Sequence, residues 1–487
     1  MHNQATGRIS FIEKLPSRNL LLSTAVITLG SAFQHGYYTA CLNAPHDELK
    51  SWMANYLKIQ GLSYFANSEI IIFFFWAIGT SLYFFGGAMG SLMAGSFIEK
   101  YDHTVVVVIS LVLMIVPALI MVAAYMTGIT LLFMAARIVI GIISGMFSCA
   151  VPLYLAEIAP KNIRGMICSW YMVVYAIGVC SAIVFGHPSS LGDDPWIIIM
   201  TIPLVPMTAQ LALIRYCPVS PRFLLIKRSK YEDALKVLKW LRRTETLDAL
   251  EKELEEIATE LEDYFLYRAV RHVHWGQLFR LHYMRKPMLI SIMMMCAQQI
   301  CGINVFLLYS SAIFDEAGLP SFYGDIGTVI MGAIFVFMSI LSMFLIEIAG
   351  RRMLFIYGYI GTFIFSFLHY MTYMYNKAKE DCVGAVAALF VWFFVVHYVL
   401  GPHSIPWLIV PEMFNQASRP KAMAIATFCN WTMNSVVAIL FWPVREVLDA
   451  QVFLFFIVPQ IFFLFLIMKY VPETTNKTIT EITEMYK

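Results

Sequence analysis

Charge is what this sequence has least of. Asp, Glu, Lys and Arg make up 14% of 487 residues, and 59% of the chain is apolar, with a mean hydropathy of +0.70. Soluble domains run at about 25% charged, and no ordinary core hides so much apolar surface. A soluble enzyme, a disordered tail protein and a collagen-like fibre are therefore excluded. The net charge is only +2 and no long basic stripe appears, which leaves nucleic acid no footing. None of the nine cysteines forms a CxxC pair, so a zinc or redox site has no support. Most lie in apolar stretches: Cys41, Cys149, Cys168, Cys180, Cys296, Cys301 and Cys429. A disulfide between Cys41 and Cys382 is left open, since both can face outside. No nucleophile–base pair or metal-ligand spacing is present, so neither catalysis nor a cofactor is expected. Met1 to Leu15 lack an apolar run followed by a small-residue cleavage site, so the first span is expected to act as its own insertion signal. What remains is an all-α membrane protein with the lipid bilayer as its solvent.

A span needs about 20 apolar residues. Twelve such stretches are read: 19–42, 68–97, 104–125, 129–154, 164–185 and 196–216, then 287–313, 322–347, 353–376, 385–411, 420–442 and 449–471. The first and tenth carry Gly, Pro and polar residues, which predicts irregular helices lining a cavity. One long polar segment, 217–286, separates an N-terminal bundle (19–216) from a C-terminal bundle (287–471), with short ends at 1–18 and 472–487. Within it, Leu250, Leu254, Ile257 and Leu261 recur at helical spacing, which predicts an amphipathic surface helix. Two six-helix halves around a midplane site are the layout of a rocking transporter.

Orientation follows from the basic residues. Of 34 Lys and Arg, only Lys50, Lys58, Lys377, Lys379 and Arg445 fall in loops opposite the polar segment, and Arg137 lies inside a span. The positive-inside rule then predicts that both termini and the polar segment are cytoplasmic. No Asn-x-Ser/Thr sequon falls in an outer loop.

Polar signatures recur at the cytoplasmic span ends: Glu157…Arg164-Gly165, Glu347-Ile-Ala-Gly-Arg351-Arg352, Glu412…Arg419 and Val471-Pro-Glu473. Such charges either pair across helices and latch one conformation, or merely stop the helices at the interface. Together with Asn43-Ala-Pro45, Arg137…Gly141, Pro218-Val-Ser-Pro-Arg222, Gln298-Gln299…Gly302-Ile-Asn304, Gly401-Pro-His-Ser-Ile-Pro-Trp407 and Asn430-Trp431-Thr-Met-Asn434, they make the chain recognisable. It resembles the sugar porter family of the major facilitator superfamily, most closely the facilitative glucose transporters of animals. The resemblance spans Gly30 to Thr474 and implies the major facilitator fold, alternating access and a sugar substrate. It also implies a substrate site at Gln298, Gln299, Asn304, Trp407, Asn430, Trp431 and Asn434. Tyr309 becomes an outer gate. Glu157, Arg164, Glu347, Arg351, Arg352, Glu412, Arg419 and Glu473 become a cytoplasmic charge network.

Sugar chemistry agrees. Each hydroxyl both donates and accepts, so a site at membrane depth needs amides, and indole faces suit the C–H surface of the ring. The alternative for each amide is an interhelical hydrogen bond; Gln298 and Gln299 are read as ligand groups, while Asn434 stays open. An ideal helix sets Asn304 about 140° from Gln299, so one shared cavity requires a break, and Gly302 is placed to supply it.

The departures from the family are informative. Met172, Phe335 and Tyr398-Val399 stand where the family carries a glutamine, an asparagine and a Phe-Glu pair. D-glucose itself is then expected to bind weakly, or a less polar solute to be preferred. Asp102-His103-Thr104 and Val219 replace the arginine pair and glutamate of the first-half latch, which predicts that this latch is the weaker one. Tyr38 stands where proton-coupled relatives carry an Asp, and no carboxylate lies inside a span. Only His35, His369 and His397 are titratable there, and His397 is read chiefly as packing. The reading is thus a facilitative uniporter of a hexose or similar sugar in the plasma membrane. The alternatives are a carrier of another polyol or organic solute, or a non-transporting sensor; the short segment after Pro472 speaks against a sensor.

Overall fold

A computed structural model of the chain describes residues 16–43, 45–186, 195–243, 274–316, 320–376 and 383–475, with parts of 250–258 and a few residues beyond. Among the described residues no strand occurs. Among them, eleven helices are long and apolar enough to cross a membrane. The missing member of the expected twelve is the first span, which is cut into Arg18–Leu29 and Ser31–Ala40. Gln210 of the sixth span repairs that cut. Its Oε1 accepts from Gly30 N (2.9 Å) and Ser31 N (2.7 Å), and its Nε2 donates to Ile27 O (2.6 Å). Backbone groups released inside a membrane need such partners. With this broken first span the chain makes the twelve-helix fold.

The other irregular spans follow the same logic. The seventh stops at Ile300, turns through Gly302 at φ +82° and resumes as Ile303–Glu316. A left-handed φ of that size favours glycine over any side chain that carries a Cβ. The tenth runs Val383–Tyr398, widens into a π turn at Val399–His403 around Pro402, and continues as Ile405–Glu412. Several spans outrun their expected ends, the eleventh reaching Leu448. The fourth is Thr130–Ile158 with Pro152 inside it, and the seventh begins at His282 with Pro287 inside it. Proline does not end a helix where neighbouring helices take up the freed carbonyl.

Small residues allow close helix contacts. The second span, Glu69–Lys100, meets the fourth through Gly86, Gly90, Gly141 and Gly145. A Cβ on Gly90 would lie 1.9 Å from Ile142 O, and one on Gly141 would lie 2.1 Å from Tyr83 O. Without a hydrophobic drive in lipid, such close backbone packing holds helices together. In the polar segment, Tyr231–Arg242 buries Ala234 and Leu238 against Leu225, Ile226, Leu250, Leu254 and Ile257. Three of the four residues expected on the amphipathic face are therefore buried. Leu261 and Cys382 lie outside the described residues, and Cys41 is a buried free thiol.

Candidate functional site: an amide chain between two bundles

The break at Gly302 brings Gln298, Gln299 and Asn304 to one cavity, as the helical geometry required. The amides form a chain. Asn304 Nδ2 donates to Gln299 Oε1, Gln299 Nε2 donates to Asn430 Oδ1 (2.9 Å), and Asn430 Nδ2 donates to Gln298 Oε1 (2.7 Å) and Met295 O (3.1 Å). Gln298 Nε2 ends the chain on the carbonyls of Pro402 (2.8 Å) and His403 (2.9 Å). Gln298 thus stitches the seventh span to the π turn of the tenth. Asn434 contributes the loose end: its Oδ1 is buried and accepts no hydrogen bond.

The lining adds His35, Met172, Tyr175, Ile303, Leu307, Phe335, Tyr398, His403, Trp407 and Trp431. One wall is therefore amide and the other aromatic and imidazole. The ring of Trp431 stacks on His35 at 4.9 Å and 26°, and its Nε1 donates to Ser148 Oγ of the fourth span (3.0 Å). Gly87 makes room for that indole, since a Cβ there would meet the ring at 2.2 Å. His35 Nδ1 lies 2.9 Å from Tyr171 Oη, and Trp407 sits edge-on to His35 at 6.5 Å. Met172 and Phe335 do line the cavity, whereas Val399 is buried outside the lining. The space left is about 30 Å³, against roughly 300–1,000 Å³ in a typical small-molecule pocket. The side chains have closed on one another.

Ties on both faces close it further. On the face opposite the polar linker, Asn43 Nδ2 donates to Ser310 Oγ (2.8 Å), joining the two bundles. Tyr309 lies beside this tie at a kink in the seventh span (φ −137°). It is buried against Phe441 (5.6 Å) and His46 (6.2 Å). On the linker face, Met166 N donates to Glu347 Oε1 (3.1 Å), and Gln416 Nε2 donates to Glu157 Oε1 (2.5 Å). Both bonds cross between bundles.

The charge network gathers there. Arg351 reaches Glu347 (3.1 Å) and Glu412 (3.9 Å). Glu473 accepts from the backbone N–H of Arg351 (3.1 Å) and of Arg352 (3.0 Å). Thr474 Oγ1 donates to Glu412 (2.6 Å) and Arg419 Nη1 to Gln416 Oε1 (2.7 Å). Arg164 is buried at the start of the fifth span, one residue before the Gly165 backbone that packs on Glu347. Burial opposes the charge on Glu473, but the N–H and hydroxyl groups of Thr475, Arg352 and Arg351 outweigh it and hold the carboxyl below its ordinary range. The first-half latch is not simply depleted. His103 lies between Asp102 (3.8 Å) and Glu157 (3.7 Å).

Two sequence readings separate here. His397 packs on Gly361 and Phe365, and its Nδ1 meets Phe393 O (2.8 Å), outside the cavity. His403, not singled out from sequence, lines the cavity instead. The available signal was its place just after Pro402, inside a helix break. Arg137, buried in the fourth span, lies over the ring of Tyr83 (4.6 Å) and donates to the carbonyl of Tyr38 (3.4 Å). Among the described residues it makes no ion pair with a carboxylate.

A family model described as "Sugar (and other) transporter" matches residues 23–486. Facilitated glucose transporter protein 1 of Caenorhabditis elegans is 33% identical over 487 residues, covering 98% of this chain and 92% of that protein. Human solute carrier family 2, facilitated glucose transporter member 3 is 32% identical, covering 96% and 92%. Among solved structures, a major facilitator proton:xylose symporter bound to 6-bromo-6-deoxy-D-glucose superposes with a TM-score of 0.81 at 23% identity, over 97% of this chain and 100% of that one. The inward-open xylose transporter of E. coli gives 0.71 at 23%, over 96% and 100%. These superpositions show the major facilitator fold.

Proposed function

Because this chain belongs to the sugar transporter family of the major facilitator superfamily, we propose that it carries a hexose or similar sugar across the plasma membrane by facilitated uniport. The observation that carries this reading is the amide chain from Asn304 to Gln298, which lines the cavity between the two bundles together with Trp407 and Trp431. Donors and acceptors bonded to each other in the closed cavity are the groups a polyhydroxylated ring takes over when the cavity widens. Asn434 Oδ1, which has no partner, is ready to accept a hydroxyl. Inter-bundle bonds on both faces, and Tyr309 on the outer one, supply the two gates that alternating access needs.

Uniport is supported by the interior charges. The cavity lining holds two imidazoles, His35 and His403, but no carboxylate, and Arg137 is met by the carbonyl of Tyr38 rather than by an acid. The crowding of Lys and Arg on the linker face supports a cytoplasmic linker and cytoplasmic termini. The domain division at 217–286 follows the same reading, with the linker as a surface element beside two transport bundles.

A second reading, a carrier of a less hydroxylated solute, is favoured by Met172, Phe335, His35 and His403 in the lining. Uptake of a panel of radiolabelled hexoses, pentoses, deoxysugars and polyols by proteoliposomes separates the two. Saturable hexose uptake that unlabelled hexose competes away supports the first. Uptake of a non-sugar solute with none of any hexose supports the second.

A further inference from the structure

At the linker face the second and third spans meet in the turn Tyr101–His103, and the imidazole of His103 is buried there. Its Nδ1 lies 3.8 Å from Asp102 Oδ1 and 3.7 Å from Glu157 Oε2, and all three side chains are at least nine-tenths buried. Glu157 is the residue that ties the two bundles together through Gln416, at 2.5 Å, and Gln416 in turn accepts from Arg419. We infer that His103 is the positioning residue of this inter-bundle latch, and that its protonation makes closure of the linker face sensitive to pH on that side.

The charge balance carries the argument. From its own turn, His103 meets Asp102, whose carboxylate also accepts from Thr104 N (3.0 Å) and Ser220 N (3.3 Å). From the fourth span it meets Glu157 and the ring of Tyr154 (6.4 Å). The linker contributes Ser220 Oγ, which donates to Glu157, with Arg222 buried in the same turn. Lys227 points its ammonium at the carbonyls of Ile98 and Glu99, 3.1 Å from each. The start of the eleventh span contributes Lys421, already paired with Glu99 (2.7 Å). Two buried carboxylates therefore face an imidazolium and Lys227. A neutral imidazole removes one of the positive charges that balance them at the joint that Gln416 must cross.

Burial alone would raise the carboxyl of Asp102, yet the charge of His103 beside it and the hydrogen bonds from Thr104 hold it below its ordinary value. That agrees with a charged partner beside it. An arginine would hold the same place at every pH, whereas a histidine titrates near neutrality. The closed linker face is thus favoured at acid pH. That advantage is lost as pH rises through the value at which His103 releases its proton.

Hydrogen–deuterium exchange on the purified protein in lipid nanodiscs, corrected for intrinsic rates, tests this at pH 6 and pH 8 without any substrate. It therefore stands or falls separately from the transport reading. Peptides covering 412–422 should exchange severalfold faster at pH 8 in the wild type. They should stay protected at both values in His103→Arg, and exchange fast at both in His103→Gln. A flat wild-type profile, or one shared with His103→Arg, overturns the inference. Should His103→Gln fail to fold, the comparison of wild type with His103→Arg still decides.

Discussion

Trp431 Nε1, from the eleventh span, donates to Ser148 Oγ of the fourth at 3.0 Å, so an indole read from the sequence as a sugar platform also fastens one bundle to the other. The same ring stacks on His35 and fills the hollow that Gly87 leaves. A side chain that faces the cavity and bridges the halves can report occupancy to both.

Trp431→Phe keeps a ring and removes the donor, and Ser148→Ala removes the acceptor. Each should cost about 0.5–1.5 kcal/mol, the usual net worth of a hydrogen bond. The double variant should cost less than the sum, because one bond is lost once. Denaturation midpoints in a common detergent provide the cycle. Strict additivity would show that the two residues act independently.

Gln298 and Gln299 should fail differently. Gln298→Leu strips donors from the carbonyls of Pro402 and His403 in the π turn and should destabilise the protein by about 1–3 kcal/mol. Gln299→Leu breaks only side-chain links, to Asn430 and Asn304, and should lower sugar affinity with a smaller loss of thermal stability. A larger drop in melting temperature for Gln299→Leu would reverse the assignment of glue and ligand.

The spans were legible because a helix in lipid must be apolar along its length, and the break at Gly302 was legible because Asn304 and Gln299 otherwise diverge. Gln210 was not, since nothing in its neighbourhood says that it will reach Gly30, 180 positions away. The amide chain was half legible. Residue type and helical face located Gln298 and Asn430, but which group each amide bonds depends on rotamers that only packing fixes. The surroundings of His103 were not legible, because a pattern lacking its arginines looks empty until the two carboxylates are seen around the imidazole. His403 was overlooked, because its direction is set by the π turn rather than by ordinary helical periodicity.

Glu473 predicts an acid limit. Its carboxyl is held below the ordinary glutamate value of about 4.3, so the stabilisation it gives is fully present above that value. It is lost as pH falls through the lower, folded-state value. Glu473→Gln should destabilise the protein at pH 7 and leave its stability less dependent on pH below 5. Thermal melts of both proteins from pH 7 to pH 3 check this. A variant that loses stability as steeply as wild type in acid would place the sensitivity elsewhere.

Restoring polarity to the lining should favour hexoses. Met172→Gln and Phe335→Asn each place an amide at a cavity wall that is now apolar. A hydrogen bond gained to a hydroxyl is worth roughly 0.5–1.5 kcal/mol, so half-saturation for hexose should fall by up to about tenfold per site. Concentration dependence of uptake in proteoliposomes gives the answer, and an unchanged or raised half-saturation would show that these positions do not meet the sugar.

Hexose uptake into sealed proteoliposomes under an imposed pH gradient, with and without a protonophore, tests the central claim most directly. Passive carriage predicts that labelled hexose rises to the outside concentration and stops there. The protonophore should not alter that level, and protein-free liposomes should stay near background. Accumulation above the outside concentration that collapses when the protonophore is added would contradict the account, as would uptake no greater than that of empty liposomes.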